Sequence, residues 1–158
     1  MKRILFVCCL VLYTLLFSLE ITVCNSIPEI SGDRGFTRLN LEDSFFSLNE
    51  GEPAIPTRSV FFEIPVDKKI LNINFVGTNE NHIKLNSPII PVQKNVPLIY
   101  KDEVPFIAEY QDQGRDDIFP VNLIHNFGAG RCGNTNIGYI SYYSGTYTQN
   151  QNEFTYYE

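Results

Sequence analysis

The residues best suited to covalent chemistry lie in one short stretch, residues 125–133, which reads HNFGAGRCG. It places a thiol at Cys132, an imidazole at His125 and a guanidinium at Arg131 close together in sequence. A neighbouring cation lowers the pKa of a thiol, and glycine backbone N–H groups can hold an oxyanion. The competing interpretation is a glycine-rich loop, residues 128–133, between two strands. We favour the loop, because a cysteine hydrolase needs a shaped cleft and this chain shows no alternating strand and helix pattern to build one.

Metal chemistry has weaker support. His82 has no second His, no Cys and no carboxylate pair at ligand spacing, so a locally hydrogen-bonded or solvent-facing histidine is expected. The pair Asp116 and Asp117 lacks the spacing of a calcium-binding EF-hand loop and predicts a solvated turn. The sequence therefore predicts no metal and no cofactor.

The charge balance restricts the partners that the chain can bind. Twelve Lys and Arg residues against 18 Asp and Glu residues give a formal net charge of −6. Nucleic acids and anionic membranes are bound through clusters of basic residues, which this chain lacks. We therefore expect no nucleic-acid partner and no membrane partner after the leader has been removed.

The first 26 residues have the pattern of a secretory signal peptide. Lys2 and Arg3 precede an apolar run, residues 4–17, that is too short to span a bilayer comfortably. Small residues at Cys24 and Ser26 predict cleavage after Ser26, with a lipid anchor on Cys24 as the alternative. The mature chain would then be one secreted domain, residues 27–158, extracellular or periplasmic. Its single thiol, Cys132, leaves no internal disulfide framework.

The elements that must position these residues are predicted to be strands. Residues 59–64 and 70–76, separated by a turn at Pro65 and Asp67, predict an antiparallel hairpin, because residues 71–75 alternate apolar and polar side chains. Pro120 marks an edge or a bulge in its strand. Further strands are predicted at residues 44–48, 82–85, 106–110, 118–124, 137–143, 146–148 and 153–157, with a polar turn at residues 149–152 between the last two. The fold class predicted is all-β, an antiparallel sandwich-like single domain.

The order of several motifs resembles a known family. Gly51-Glu-Pro-Ala-Ile-Pro56, a strand that ends in Ile64-Pro65, and the run IIPVQKNVP at residues 89–97 are followed by Gly130-Arg-Cys-Gly133 and by aromatic residues up to Tyr157. Together they resemble the N-terminal pro-domain of gingipain-type cysteine peptidases. The resemblance covers residues 35–158 and implies that the family's last strand is cut short at the C-terminus.

The resemblance implies a non-catalytic module. In the family, the catalytic His and Cys belong to a large α/β domain that follows the pro-domain, and neither of its motifs occurs here. The pro-domain assists the folding of the peptidase and inhibits it, so the implied partner is a cognate gingipain-type peptidase domain, in cis or in trans. A basic pro-domain residue enters the specificity pocket of the enzyme. Lys94, in the overlying residues 93–96, is the matching candidate, with Lys101 as a second; a solvated lysine is the competing interpretation.

Two other classes of function stay open at this point. A stand-alone secreted binding or adhesion module would use exposed tyrosines such as Tyr142, Tyr143 and Tyr147. A small thiol enzyme would depend on Cys132 and His125.

Overall fold

Ten strands, all paired antiparallel, form the described part of the chain in a computed structural model. The structure describes residues 18–47, 49–96, 104–111 and 117–158, and no helix occurs within these ranges. The strands are β1 (Glu29–Asp33), β2 (Phe36–Asn40), β3 (Phe45–Phe46), β4 (Pro56–Ile64), β5 (Glu80–Lys84), β6 (Ile118–Phe119), β7 (Ile124–Cys132), β8 (Thr135–Tyr143), β9 (Gly145–Thr148) and β10 (Glu153–Tyr157).

The strands form two four-stranded sheets and one separate hairpin. The first sheet has the order β3-β4-β8-β7, the second has the order β5-β10-β9-β6, and β1 pairs with β2 alone. The two sheets share a core to which Tyr143 of β8 and Tyr147 and Phe154 of β9 and β10 contribute. The predicted all-β, sandwich-like fold class is therefore confirmed.

The chain passes from one sheet to the other at Ser144 and Gly145. β8 ends at Tyr143 in the first sheet, and β9 begins at Gly145 in the second. A Cβ atom on Gly145 would lie 2.1 Å from the backbone oxygen of Thr155 and 2.7 Å from the ring of Phe154. Contacts that short do not occur between real atoms, so this crossing requires glycine.

The predicted hairpin of residues 59–64 with residues 70–76 is wrong. β4 pairs with β3 and β8, and residues 65–79 contain no strand. Phe75 instead packs across both sheets, with its ring centroid 6.5 Å from that of Tyr142 and 5.7 Å from that of Tyr157. Alternating polarity shows that one face of an extended segment is covered, but it does not identify what covers that face.

Four of the other predicted strands are confirmed within one or two residues: 82–85, 137–143, 146–148 and 153–157. The turn between the last two is confirmed as well. Residues 106–110 form no strand. The strand predicted at 118–124 is wrong, because β6 ends at Phe119, before a cis Phe119–Pro120 peptide, and β7 begins at Ile124. Pro120 was predicted to mark an edge or a bulge in its strand, but it lies between β6 and β7 and belongs to neither strand.

Candidate functional site

An extended run, residues 88–92, which is buried from Ile89 to Val92, is held on both sides by backbone hydrogen bonds. On one side, Thr37 N–H donates to the Pro88 carbonyl at 2.7 Å, and Ile90 N–H donates to the Thr37 carbonyl at 2.8 Å. On the other side, Ala54 N–H donates to the Ile90 carbonyl at 2.9 Å. Ile89 is fully buried and Ile90 is 4% exposed. The run is therefore bonded like a strand although proline interrupts the regular ladder.

The side chain of Gln93 closes the base of the loop that follows this run. Its Nε2 donates to the carbonyl oxygens of Pro91, at 2.8 Å, and of Ile107, at 3.0 Å. Its Oε1 accepts a hydrogen bond from Ile107 N–H at 2.9 Å. The amide thus bridges the outgoing and returning backbone. We call residues 88–93 the anchored segment and residues 94–106 the pinned loop; residues 97–103 of the loop lie outside the described residues.

The returning side of the pinned loop is also attached to the domain. Phe106 packs against Phe36 with ring centroids 5.9 Å apart, and the Arg34 guanidinium lies 4.9 Å from the Phe106 ring centroid. The Tyr110 hydroxyl donates to the Ile89 carbonyl, and Gln111 N–H donates to the Gly51 carbonyl at 3.1 Å. The loop therefore leaves and rejoins the domain at neighbouring points.

Lys94 is the first residue beyond the anchored segment, and its side chain is exposed. The chain changes here from buried to exposed within two residues, because Val92 is 8% exposed and both Lys94 and Asn95 face solvent. Lys101, the second candidate, lies outside the described residues. The structure thus places Lys94 at the root of a loop whose ends are fixed, which is a geometry suited to presenting a side chain to a partner.

His125 and Cys132 lie near opposite ends of β7. At about 3.3 Å per residue, seven residues of strand separate them by roughly 20 Å, too far for proton transfer. The His125 ring packs edge-on against Tyr143 at 5.0 Å, and Arg131 Nε donates to the Gly133 carbonyl at 3.0 Å. The glycine-rich loop predicted at residues 128–133 is wrong for most of its length, because residues 128–132 belong to β7. One strand cannot bring its own ends together, so the alternative interpretation, a thiol site of His125 and Cys132, is excluded by the structure.

His82 is locally hydrogen-bonded, as expected. Its Nδ1 lies 3.0 Å from Thr155 Oγ1 across the β5–β10 pair, and Glu80 and Glu153 each place a carboxylate oxygen 3.3 Å from the ring nitrogens. Within the described ranges, no group of three or more His, Cys, Asp or Glu side chains is placed to hold a metal ion. Asp116 lies outside those ranges.

The tyrosines expected to form an exposed binding surface are buried. Tyr142 is 4% exposed, Tyr143 is 5% exposed and Tyr147 is 1% exposed. The hydroxyl of Tyr147 donates to Asn152 Oδ1 at 2.7 Å, and burial raises its pKa. A binding module that uses these three side chains is therefore excluded. Residue type alone does not predict this burial, because the apolar ring of tyrosine suits a core and its hydroxyl suits a surface.

Sequence reasoning also missed Gln93 and Glu52. Glu52 is 6% exposed, and its Oε2 accepts hydrogen bonds from Asn49 Nδ2 at 3.1 Å and from Ser47 Oγ at 3.4 Å. Its backbone carbonyl accepts from Val92 N–H at 2.7 Å, so this turn supports the anchored segment directly. A polar residue inside a proline-flanked apolar run was the only available signal for Gln93, and it does not identify the partners.

The fold is an antiparallel β-sandwich, and solved structures share this fold. The chain is similar to a complex of the RgpB pro- and mature domains of Porphyromonas gingivalis, with a TM-score of 0.68 and 12% identity over 82% of this chain and 70% of that chain. It is also similar to a structure on the zymogenic latency of gingipain K from the same organism, with a TM-score of 0.62 and 18% identity over 82% and 74% of the two chains.

No protein-family model and no curated protein sequence matches the chain. At these identities the structural likeness shows the fold, and at that level it confirms the resemblance to gingipain pro-domains. In the described residues, no helix is long and apolar enough to cross a membrane.

Proposed function

We propose that this chain is a secreted, non-catalytic, propeptide-like domain that helps a gingipain-type cysteine peptidase to fold and holds it inactive. The observation that carries the proposal is the shared sandwich fold over 82% of the chain, in two structures that concern gingipain pro-domains and zymogen latency. The pinned loop supplies the means. Its root is fixed by the anchored segment, and it begins with an exposed basic side chain at Lys94.

Inhibition follows from occupation of the substrate-binding cleft. Binding a free peptide would require its backbone to be ordered, whereas a loop fixed at both ends loses less conformational entropy. Lys94 would place its ammonium group in a pocket that accepts basic side chains. Gln93 holds the backbone just before it through three hydrogen bonds to Pro91 and Ile107, so the direction in which Lys94 leaves the domain is defined.

Assistance with folding needs no additional site. A domain that binds only the folded peptidase stabilises it by mass action, and covalent linkage in cis would raise the effective concentration of the domain. The sandwich core is complete within the described residues around Leu39, Ile89 and Phe154, so the domain provides a preformed surface. The domain could therefore assist and inhibit the peptidase either as part of the same chain or as a separate chain.

The test measures inhibition of purified peptidases. The mature domains of RgpB and gingipain K serve as probes, and the inhibition constant of the added domain is measured with a small chromogenic substrate. We expect Lys94→Ala to weaken inhibition by about 30-fold or more, as for a buried charged anchor at an interface. Lys101→Ala identifies which lysine is used. Lys69→Ala, on the exposed segment after β4, is the matched control and should leave inhibition unchanged.

Failure of the wild-type domain to bind or slow either peptidase, while it gives a cooperative thermal transition, would contradict the proposal. If Lys94→Ala and Lys101→Ala each inhibit as strongly as the wild type, the domain is still an inhibitor but neither lysine is needed for inhibition. Recovery of activity when the peptidase is refolded with and without the domain tests the folding role. We expect a higher yield with the domain present.

A further inference from the structure

The segment before the predicted mature N-terminus lies against the domain. Residues 21–26 alternate in exposure: the side chains of Ile21, Val23 and Asn25 are partly covered, and those of Thr22, Cys24 and Ser26 face solvent. This period of two is typical of an extended chain with one face packed on a surface. A leader that is discarded has no reason to match the surface of the domain in this way.

Asn25 joins strands from both sheets. Its Nδ2 donates to the Tyr157 carbonyl of β10 at 3.0 Å. Its Oδ1 accepts hydrogen bonds from the Tyr142 hydroxyl of β8 at 3.2 Å and from Arg58 Nη1 of β4 at 3.4 Å. One amide side chain thus contacts two strands of the first sheet and one of the second, close to where Phe75 also bridges the sheets.

Cys24 contributes through its backbone. Arg58 Nη1 donates to the Cys24 carbonyl at 3.1 Å, in addition to its bond to Asn25. Cleavage between Cys24 and Asn25 would remove this acceptor and create an α-ammonium group beside the Arg58 guanidinium. Two like charges at that separation repel each other, so a chain that begins at Asn25 is disfavoured as well.

Cleavage after Ser26 would remove all of these contacts. The phenol of Tyr142, whose side chain is 4% exposed, would lose the acceptor at Asn25, and Arg58 would lose two acceptors. Buried polar groups are normally paired, and exposing this junction to water would open the end of the sandwich where β4, β8 and β10 meet.

We propose that Cys24 and Asn25 are retained in the mature domain and that the leader is cut upstream of Cys24, not after Ser26. The segment acts as a latch that closes one end of the sandwich through the Asn25 amide. The inference concerns processing and does not depend on peptidase inhibition. This cleavage position replaces the one predicted from small residues alone. A signal peptidase tolerates several cleavage positions, whereas residues 21–25 pack on the domain in a single register.

The first test locates the mature N-terminus. The full 158-residue chain is expressed in a Gram-negative host that exports proteins, and the exported product is examined by intact mass and N-terminal sequencing. We expect a chain that begins at a residue between Leu19 and Cys24. A product that starts at Cys24 with an added acyl mass also supports the proposal, because the cut is still upstream of Cys24. A product that starts at Asn25, Ser26 or Ile27, or that keeps Met1, overturns it.

The second test measures the latch in the exported full-length product. Asn25→Ala removes the three amide bonds, and we expect the melting temperature to fall by about 5 °C. The adjacent Ser26→Ala, at an exposed position, is the matched control and should melt like the wild type. Equal melting temperatures for Asn25→Ala and the wild type would overturn the latch. If Asn25→Ala is not exported, Tyr142→Phe is used, which removes the hydrogen bond from the Tyr142 hydroxyl to Asn25 Oδ1; an unchanged melting temperature in that variant also overturns the latch.

Discussion

The anchored segment leads to an exposed lysine, Lys94, and β7 leads to an exposed arginine, Arg131, but the backbone before the two residues is held differently. Before Lys94, the chain is buried at Ile89, Ile90 and Val92 and bonded on two sides. Before Arg131, β7 is an edge strand that is exposed at most positions, and Arg131 bonds to the carbonyl of Gly133 in its own turn. A side chain is directed by the burial of the backbone that carries it, more than by its own chemistry.

The hairpin has a different design, in which glycine makes room for aromatic rings. Gly128 lies opposite Tyr139, and a Cβ atom on Gly128 would come within 2.7 Å of the Tyr139 ring. Tyr139 in turn contacts Phe61, with ring centroids 6.3 Å apart. Gly128, one of the glycines that suggested a catalytic loop, therefore has a packing role within a sheet, whereas a Cβ atom on Gly130 would meet nothing within 4 Å.

The largest effect is expected from truncating the anchored segment. Ile89→Ala removes a fully buried side chain from the core, and we expect a loss of about 3 kcal/mol in the free energy of unfolding. Phe127→Ala, on the half-exposed face of β7, should cost less than about 1 kcal/mol. Urea denaturation measures both. Equal losses of unfolding free energy in the two variants would show that the anchored segment and β7 contribute equally to stability, contrary to the comparison above.

The next effect concerns the base of the pinned loop. Gln93→Ala removes three hydrogen bonds, and we expect a loss of about 2 kcal/mol together with weaker inhibition of the peptidase. Gln93→Glu should be at least as harmful, since a carboxylate cannot donate to the carbonyls of Pro91 and Ile107. Asn95→Ala, at an exposed position of the same loop, is the control. Unchanged stability in Gln93→Glu would show that the amide donors do not hold the loop.

A third effect appears at alkaline pH. Burial, followed by the neighbouring Tyr147, raises the pKa of Tyr110, whose hydroxyl donates to the Ile89 carbonyl. Above about pH 10 the unfolded chain loses this proton and the folded chain keeps it, so stability is full below pH 10 and declines as pH rises. The slope is up to about 1.4 kcal/mol per pH unit for each such tyrosine.

Urea denaturation at pH 9 and pH 11, with phenolate absorbance as a second readout, measures this slope. Tyr110→Phe should lower stability at neutral pH and show a shallower alkaline decline than the wild type. An identical decline in both proteins would mean that Tyr110 ionises equally easily in the folded and unfolded states.

The smallest effect is expected at the hairpin tip. Cys132 is an exposed free thiol, so Cys132→Ser should change stability by less than about 0.5 kcal/mol. The rate at which a thiol-directed probe modifies Cys132 should stay within about twofold in His125→Ala, because roughly 20 Å separates the two residues. Loss of Cys132 reactivity in His125→Ala would instead support the hypothesis of a thiol enzyme that uses His125.

Much of the sandwich could be predicted from local pattern. The β9–β10 hairpin has two short strands of Thr, Tyr and Phe around a polar turn, and both its strands and its turn were predicted within one or two residues. The strand β5 was also predicted. The pairing of β4 was not, because its partner β8 lies more than 70 residues further along the chain and alternation does not identify a distant partner.

In the candidate site, too, some residues could be predicted from the sequence and others could not. Lys94 was selected from its place among prolines and from a family resemblance, and the structure adds that it is exposed. Gln93, Glu52 and Asn25 were not selected, since the function of an amide or a buried carboxylate depends on groups that only folding brings near. Tyr142, Tyr143 and Tyr147 were assigned to the wrong side of their strands, because tyrosine suits both a core and a surface.

The sequence by itself determined the acidic charge, the strand-forming composition and the proline-limited run that became the anchored segment, because each of these depends on residue type and on neighbours along the chain. Only the tertiary structure decided which strands pair, where Phe75 and residues 21–25 pack, and that His125 and Cys132 stay apart. These outcomes depend on contacts between distant residues, whose closure cost is offset only when the whole core forms.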